Sequence, residues 1–499
     1  MLIIILKDIP IWLNTFPSNI TPLFYAFILL LAFSLLFSLK YADKKLKAIT
    51  SFQGWGKWTS VSLTLLAVIF ILVSKIYQKI PPYPNKARRV AFYAFTTHDP
   101  ISSFIFLSIW DEIIIQDNVL QLNKSKPWNE QRMPGLTPKQ NVCLIVVDAL
   151  RADHLGMYGY ERPVSPFLDQ LVLDDKWQKV QWASSSCSSS YCGILSILKG
   201  LWWKDQGLTD FGLPDLLSLY DYQNNFILSG IHRGWYGLGN RYAHEINLFY
   251  EGVDSKERVS SDDQLILDGL EKIEDWSTPQ FLMIHLMSSH YAGKKEDEFK
   301  KYLPAKYSLA APYEEKRIAY ANNYDNGILQ ADHYLEKVFA KLEATGFLEN
   351  SIVIITSDHG ENLGKNEFFG HAAGLEPFLL HVPFLIYNSN GRRIKNDYYA
   401  THIDIAPTIA DLLELPIPEQ WQGVSLLKDF QNRQSIHQQT DEFAIISADS
   451  SRIIEYIKNT ATGEESYFDF QQEDVNLKDL LTDSTKNALQ HQLDSILRN

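Results

Sequence analysis

Cysteine and clustered basic residues are scarce in this sequence. Its 499 residues include only 3 cysteines, too few for a disulfide scaffold or a cysteine-rich zinc module. Cys187 and Cys192 could form a bridge, but we expect two free thiols. The 46 Lys and Arg residues are outnumbered by 59 Asp and Glu residues and form no dense cluster. This argues against a nucleic-acid partner, because phosphate contacts need concentrated positive charge.

The sequence is, by contrast, rich in residues that build a hydrophobic core. Hydrophobic residues make up 46% of the chain and aromatic residues 13%, so burial can offset the conformational entropy lost on folding. The length fits about three domains of ~150 residues, or one large α/β domain with appendages. A disordered chain is therefore excluded.

Two uncharged apolar runs predict a membrane region over residues 1–80. Pro22–Leu39 and Trp58–Ser74 are each about long enough to cross the hydrocarbon core, which takes roughly 17–25 residues. The first residues resemble a signal peptide but lack a small-residue cleavage site, so we expect no removal. The loop between the runs is rich in lysine, which favours its placement in the cytoplasm. Both termini and the soluble domain are then expected on the outer or periplasmic side of the cell membrane.

Residues 81–138 are predicted to form a connector. It opens with IPPYPN, whose prolines exclude a helix, and continues with the apolar run Val90–Trp110, which His98-Asp99-Pro100 interrupts. We expect this run to lie at the membrane surface or beneath the soluble domain. A third membrane span is the alternative.

Short apolar runs alternate with helical patterns over residues 139–430. Asn141–Val147 is a continuous apolar run of the kind found in strands that are covered on both faces, and residues 314–342 repeat apolar side chains at helical spacing. Further strands are predicted at Phe226–Ser229, Phe281–His285, Ser351–Thr356, Val382–Tyr387 and Ala444–Ala448. The alternation predicts an α/β fold with a doubly wound, mostly parallel sheet.

Polar residues that directly follow strands are the candidates for a site, since ligands of such sheets bind beyond the carboxyl ends of the strands. These are Asp148, His290 and the pair Asp358-His359. Asp148 alone could equally be a helix cap. Asp358 and His359 are adjacent metal-binding side chains followed by Gly360, which permits close backbone approach, so a metal site is favoured there.

Two further segments carry candidate residues. The serine cluster Ser184–Ser190 precedes the helical run GILSILKG. Its hydroxyls could cap that helix or line an anion site at the helix amino terminus, and spacing alone does not decide between these roles. His371 lies in the glycine-flanked segment FFGHAAG, where a histidine has no core to fill, so a functional role is favoured.

Three motifs, in the expected order, resemble the sulfatase-like branch of the alkaline phosphatase superfamily. They are NVCLIVVDALRADHLGMYGYERPVSPFLDQL, ITSDHGENLG and THIDIAPTIADLL, and the tail YFDFQQEDVNLKDL is similar to the small C-terminal subdomain of sulfatases. The resemblance implies a catalytic domain at 139–430 and a subdomain at 431–499. With a membrane anchor, the chain is similar to phosphoethanolamine transferases, lipoteichoic acid synthases and a sulfatase-like regulator of lipopolysaccharide synthesis.

The family pattern also implies roles for individual residues. A single divalent ion, Zn²⁺ before Mn²⁺ or Mg²⁺, is expected to bind the residues that match its ligands. These are Asp148, Ser190, Asp358 and His359. Ser190 is the expected nucleophile because a helix ending at Gly200 follows it, with Ser188 and Ser189 as alternatives. His290 and His371 are expected to contact the phosphate. Arg151, Asp153 and His154 could support the ligands or form ordinary structural hydrogen bonds.

The sequence departs from ordinary sulfatases where those enzymes carry x-Pro-Ser-Arg after the nucleophile. Ser190 is followed by Tyr191, Cys192 and Gly193, so a sulfuric ester hydrolase is the less expected activity. A single acid, Asp148, also stands where many sulfatases have two. The expected function is a phosphotransferase or phosphodiesterase that acts on envelope lipids or glycans through a covalent phosphoserine. The alternative is a pseudo-enzyme that senses or binds lipids or partner proteins.

Overall fold

The computed structural model describes residues 140–207, 210–234, 237–308, 311–430, 432–472 and 475–498. The two predicted membrane spans and the predicted connector lie outside these residues. Within the described ranges, no helix combines the length and the apolar character that a membrane crossing requires.

Strands and helices alternate along most of the described ranges. In chain order, the strands are β1 (Asn141–Val147), β2 (Trp177–Lys179), β3 (Trp182–Ser184), β4 (Gln223–Leu228), β5 (Leu248–Tyr250), β6 (Gln280–Leu286), β7 (Ser351–Thr356), β8 (Asn362–Leu363), β9 (Phe369–Gly370), β10 (His381–Val382), β11 (Phe384–Asn388), β12 (Tyr399–Thr401), β13 (Arg433–Gln439), β14 (Glu442–Ala448), β15 (Ile453–Asn459) and β16 (Glu465–Asp469). The helices are α1 (Pro166–Leu171), α2 (Ser190–Lys199), α3 (Leu213–Ser218), α4 (Gln264–Leu270), α5 (Tyr313–Ala344), α6 (Pro377–Leu380), α7 (Ile405–Leu412) and α8 (Asp483–Arg498).

A 7-stranded sheet in the order β2-β11-β7-β1-β6-β4-β5 forms the centre of the fold. The strands from β7 to β5 are parallel, whereas β11 and β2 add an antiparallel edge. Along β1, Val142, Leu144 and Val146 belong to one buried cluster. The intervening Cys143, Ile145 and Val147 belong to a second cluster on the opposite face, as the alternation of strand side chains requires.

Both faces of this sheet are covered by helices, which confirms the doubly wound α/β fold. Helices α2 and α7 contribute apolar residues to the first cluster, and the long helix α5 contributes to the second. The predicted strand Val382–Tyr387 differs from the structure, because it is divided at Pro383 into β10 and β11. Proline has no N–H for a ladder hydrogen bond, and the two pieces pair with different sheets.

A second sheet of 4 antiparallel strands, β13-β14-β15-β16, follows near the carboxyl terminus. One face packs against the main domain, with Ala444 and Ile453 in contact with a cluster that includes Leu380 and Tyr399. Helix α8 covers the opposite face, where Leu489 and Leu493 are buried. The second sheet is therefore anchored to the main domain on one side only.

The direction of β1 sets the position of the site. The described chain enters β1 at Asn141, at the amino edge of the sheet, and leaves it at Asp148 on the opposite edge. Since β1, β6 and β7 are parallel and in register, the segments that follow them emerge together at the carboxyl edge. Asp148, His290 and Asp358 belong to these three segments.

Candidate active site

Two carboxylates and one imidazole meet at the carboxyl edge of the sheet. The Nε2 atom of His359 lies 3.7 Å from Oδ1 of Asp148 and 3.7 Å from Oδ2 of Asp358. Ligand atoms of all three residues lie within 4.8 Å of one another, and all three side chains are buried. The group sits at the place where two segments following parallel strands meet, as the sequence predicts. Asp148 is not a helix cap.

Two oxygen atoms of this cluster and one neighbouring nitrogen have no hydrogen-bond partner among the described residues. They are Oδ1 of Asp148, Oδ2 of Asp358 and Nε2 of the nearby His285. The other oxygen of Asp358 accepts hydrogen bonds from the backbone N–H groups of Ala149 and His359, each at 3.0 Å. Unpaired buried carboxylate oxygens are costly unless a cation satisfies them. The donor set therefore fits a divalent metal ion.

The protonation of the cluster also suits a metal. Burial lowers the pKa of His359 to about 4, and its Nδ1–H donates to the carbonyl of Gly360 at 2.8 Å. The ring is thus neutral at pH 7, with the Nε2 lone pair facing the carboxylates. Burial, with repulsion from Asp358, raises the pKa of Asp148 well above its ordinary value. Burial would also raise the pKa of Asp358, but the His359 and His285 imidazoles hold it low.

Ser190 faces the same cluster. It is the first residue of α2, and its Oγ lies 3.1 Å from Nε2 of His359. Ser189, the residue before the helix, makes no side-chain capping hydrogen bond, and its Oγ lies beside the sulfur of Cys192. Ser188 donates instead to the carbonyl of Gly374 at 2.7 Å. Of the three serine hydroxyls, that of Ser190 is the one that approaches the cluster of Asp148, Asp358 and His359.

Two glycines permit the close packing that this arrangement requires. A Cβ atom at Gly193, one turn into α2, would lie 2.2 Å from the carbonyl oxygen of Asp358. A Cβ atom at Gly360 would lie 2.3 Å from the carbonyl oxygen of Phe378, so close approach at Gly360 occurs as expected. Helix α2 can rest against the Asp358 segment because Gly193 lacks a side chain, and this contact holds Ser190 beside His359.

Residues 184–192 are called the serine segment below. Its two cysteines, Cys187 and Cys192, are joined by a disulfide. The expectation of two free thiols is therefore wrong. Their Cα atoms are 6.2 Å apart, within the range that a bridge can span, because the chain turns into α2 between them. The bridge encloses Ser190. Cys143 is free and buried in β1.

His290 and His371 lie next to the cluster. The rings of His359 and His371 have centroids 4.2 Å apart, and those of His290 and His371 are 5.0 Å apart. The Nδ1–H of His371 donates to Oε2 of Glu361 at 3.0 Å, and Tyr320 donates to the other carboxylate oxygen at 2.8 Å. The structure thus brings together the six residues that were expected to bind the metal or to contact the phosphate.

Glu361 and His285 belong to the site although the sequence predicts no role for them. Glu361 stands two residues after His359, in the same motif, and orients His371. His285 lies near the end of β6, and its Nε2 atom is 3.7 Å from Asp148 and 3.9 Å from Asp358. The sequence gives only a weak indication of a role for His285, because a histidine inside an apolar strand is more often a core residue whose ring nitrogens are hydrogen-bonded within the protein.

Arg151, Asp153 and His154 bond to residues other than Asp148, Asp358 and His359. Arg151 pairs with Asp153, and its Nη1 donates to the carbonyl of Glu361 at 3.0 Å. His154 bonds to the buried Asp325 on α5, with Nδ1 and Oδ1 2.9 Å apart. For Asp153 and His154 the structure therefore shows ordinary structural bonds, whereas Arg151 supports the segment that carries Glu361.

A comparison with protein families identifies the domain. The family model described as Sulfatase matches residues 140–415, more than half of the chain. The chain belongs to the sulfatase family. This confirms the assignment to the sulfatase-like branch of the alkaline phosphatase superfamily, and with it the expectation of an enzyme of that superfamily.

Two curated relatives of this sulfatase-family chain differ in activity. Phosphoethanolamine transferase EptA of Helicobacter pylori is 24% identical over 295 residues, which cover 55% of this chain and 53% of that protein. The arylsulfatase of Clostridium perfringens is 24% identical over 449 residues, which cover 69% and 90% of the two chains. The chain thus spans about half the length of the transferase that it matches.

Solved structures share the fold. The periplasmic domain of EcEptC from Escherichia coli, in complex with Zn, superposes with a TM-score of 0.52 at 16% identity, covering 63% of this chain and 94% of that one. The phosphonate monoester hydrolase of Agrobacterium radiobacter superposes with a TM-score of 0.53 at 13% identity, covering 72% and 95%. The alkaline phosphatase-like architecture of this sulfatase-family chain is confirmed.

Proposed function

We propose that this chain is a membrane-anchored, metal-dependent phosphotransferase or phosphodiesterase of envelope lipids or glycans. The observation that carries the proposal is the Ser190 hydroxyl, 3.1 Å from the Nε2 atom of His359, at the rim of a buried group of metal-ligating residues. Similarity to phosphoethanolamine transferases supports a phosphate ester, rather than a sulfate ester, as the group that Ser190 attacks.

Asp148, Asp358 and His359 would hold the metal ion, together with the oxygen of Ser190. Three oxygen donors and one imidazole suit Zn²⁺, and Mn²⁺ and Mg²⁺ are also compatible with them. When bound, a divalent ion lowers the pKa of a coordinated hydroxyl and offsets negative charge on the phosphate.

The protein groups divide the reaction into two steps. In the first, Oγ of Ser190 forms a new bond to phosphorus, the bond to the leaving-group oxygen breaks, and the proton of the Ser190 hydroxyl passes to the leaving group. In the second, an acceptor hydroxyl or water forms a bond to phosphorus, the O–P bond of the phosphoserine breaks, and the proton of the acceptor returns to Ser190. The helix amino terminus of α2 lies at Ser190, and the backbone N–H groups of its first turn would stabilise the charge of the transferred group.

His290 and His371 are suited to contact the phosphate from the other side. Burial and the neighbouring His371 and His359 lower the pKa of His290 well below its ordinary value, so it acts as a neutral hydrogen-bond donor. His371 is oriented by Glu361 and would transfer the proton of the acceptor or leaving group.

We predict phosphodiesterase or phosphotransferase activity and negligible arylsulfatase activity. The segment after Ser190 lacks the x-Pro-Ser-Arg context in which sulfatase nucleophiles become formylglycine, so Ser190 remains a serine. The purified full chain, loaded with Zn²⁺ or Mn²⁺, is assayed with bis(4-nitrophenyl) phosphate and with 4-nitrophenyl sulfate. Robust hydrolysis of the sulfate ester would show that the proposed reaction class is wrong.

We predict that the described domain lies outside the cytoplasm. The lysine-rich loop between the two predicted spans keeps that loop inside, and the Cys187–Cys192 bridge belongs to an oxidising compartment. Reporter fusions at Asn499 measure the orientation, one reporter being active only in the cytoplasm and one only outside it. Activity of the cytoplasmic reporter alone would contradict the prediction.

A further inference from the structure

The second sheet reaches the serine segment through one strand, β13. Ser435, His437 and Gln439 alternate along this strand and are buried, with 0%, 0% and 9% of their surface exposed. They point into the main domain, where His437 contacts the residues that precede Ser190. Strand β13 lies beyond the residues matched by the family model, which end at 415.

His437 takes part in a closed chain of buried hydrogen bonds. Its Nδ1 lies 2.7 Å from the carbonyl oxygen of Ser185, and its Nε2 lies 2.7 Å from Oγ of Ser435. From Ser435 the chain continues to the hydroxyl of Tyr399 at 2.5 Å, and from there to Oγ of Ser184 at 2.8 Å. Ser184 and Ser185 are neighbours, so the circuit closes on the serine segment.

The direction of each hydrogen bond follows from chemistry. A carbonyl oxygen only accepts, so Nδ1 of His437 must carry a proton. Burial lowers the pKa of His437 to about 3, so the ring is neutral and Nε2 accepts from Ser435. The Tyr399 hydroxyl then donates to Ser435, and the Ser184 hydroxyl donates to Tyr399. Each hydroxyl in the circuit donates one bond around it, which defines a single arrangement.

Neighbouring bonds extend this support to both sides of the active site. The backbone N–H of Gln438 donates to the carbonyl of Ser186 at 3.3 Å, and Nε2 of Gln439 donates to the carbonyl of Ala372 at 3.2 Å. The N–H of Ala372 in turn donates to the carbonyl of Ser188 at 2.6 Å. Strand β13 therefore contacts both the segment before Ser190 and the segment that carries His371.

We infer that His437 is a positioning residue for catalysis. Through its Nδ1–H it fixes the backbone of the serine segment, and this fixes the approach of Ser190 to His359. In this arrangement the C-terminal sheet is a part of the active-site scaffold. The catalytic consequence rests on the proposed function, whereas the ordering of the serine segment does not.

Two substitutions separate the two ring nitrogens. In His437→Asn the side-chain amide falls near the place of Nδ1 and can still donate to Ser185. In His437→Gln the amide falls near the place of Nε2, so the contact with Ser435 persists and the Ser185 carbonyl loses its donor. The two variants therefore differ chiefly in the bond that the inference concerns.

The test measures the disulfide-bonded full chain in two ways. Amide hydrogen exchange of residues 185–190 is expected to be faster in His437→Gln than in wild type, and close to wild type in His437→Asn. With bis(4-nitrophenyl) phosphate, kcat of His437→Gln is expected to fall by about 10- to 100-fold, since a displacement of about 1 Å can cost 10²-fold. Its KM and Zn²⁺ content are expected to stay unchanged, and His437→Asn is expected to retain most of the wild-type kcat.

Equal exchange and equal kcat in the two variants would overturn the inference, as would unchanged exchange of residues 185–190 in His437→Gln. A parallel loss of Zn²⁺ or a rise of KM would also overturn it, by showing a general loss of structure. An inactive wild-type chain would refute the proposed function instead, and the exchange measurement would still decide whether His437 orders the segment.

Discussion

Replacing Ser190 by alanine is expected to lower the turnover of a phosphodiester by at least about 10³-fold, as loss of a covalent nucleophile does. The hydroxyl of Ser190 lies at the start of α2 and beside His359, and no neighbouring hydroxyl of the described serine segment occupies that position. Substrate binding is expected to change little, because the other three metal ligands, His290 and His371 remain. The kcat and KM for bis(4-nitrophenyl) phosphate measure the two effects, and mass spectrometry locates the covalent label.

Ser188→Ala and Ser189→Ala serve as matched controls. Ser188 donates to a backbone carbonyl and Ser189 faces the disulfide, so each substitution is expected to cost about tenfold or less, the scale of one hydrogen bond. The donor-derived phospho-adduct is expected on Ser190 in both controls. A label that maps to Ser188 or Ser189, or that persists in Ser190→Ala, would show that the assignment of the nucleophile is wrong.

Replacing Asp358 by asparagine is expected to lower the affinity for Zn²⁺ by about 10²-fold or more. Even loss of a residue that only orients a metal ligand costs about 10- to 100-fold. The two backbone donors at Oδ1, from Ala149 and His359, would select the amide oxygen of the new side chain. The NH₂ group of the new side chain would then point toward the metal site. The metal would lose the negative charge of the carboxylate, and the NH₂ group offers it no lone pair.

Folding is expected to survive this change, because asparagine has nearly the same volume and keeps both backbone hydrogen bonds. Zn²⁺ titration and metal content are measured beside the far-ultraviolet circular dichroism spectrum. Asp494→Asn is the control. Asp494 lies on the distant helix α8 and pairs with Lys458, so this variant removes a negative charge away from the site and should bind Zn²⁺ as wild type does. Unchanged metal content and activity in Asp358→Asn would refute the ligand assignment.

Local sequence patterns were sufficient to predict five of the seven strands of the central sheet and the edge at which the candidate site residues meet. A continuous apolar run such as Asn141–Val147 can be stable only when both faces are covered, and this requires a layered α/β fold. The residues that follow such strands must then meet at one edge. Asp148, Asp358 and His359 could be grouped for this reason, without knowledge of any distance between them.

Other features depend on contacts between distant segments, which no local pattern contains. The choice of Ser190 over Ser188 depends on the rotation of α2, which Gly193 and the carbonyl of Asp358 determine together. The Cys187–Cys192 bridge depends on the turn into α2. The role of His437 depends on a sheet that is remote in sequence and packs against the serine segment.

The direction of β1 also bears on the proposed anchoring in a membrane. The polypeptide enters the sheet at Asn141, and the metal ligands stand at its far end, about 20 Å away for a strand of this length. The proposed membrane anchor precedes Asn141 and would therefore hold the domain at the edge opposite the site. Under the proposed function, a lipid headgroup reaches Ser190 only when the domain turns its carboxyl edge toward the bilayer, so the orientation of the domain, as well as the chemistry of the site, would set how often a bilayer substrate is bound.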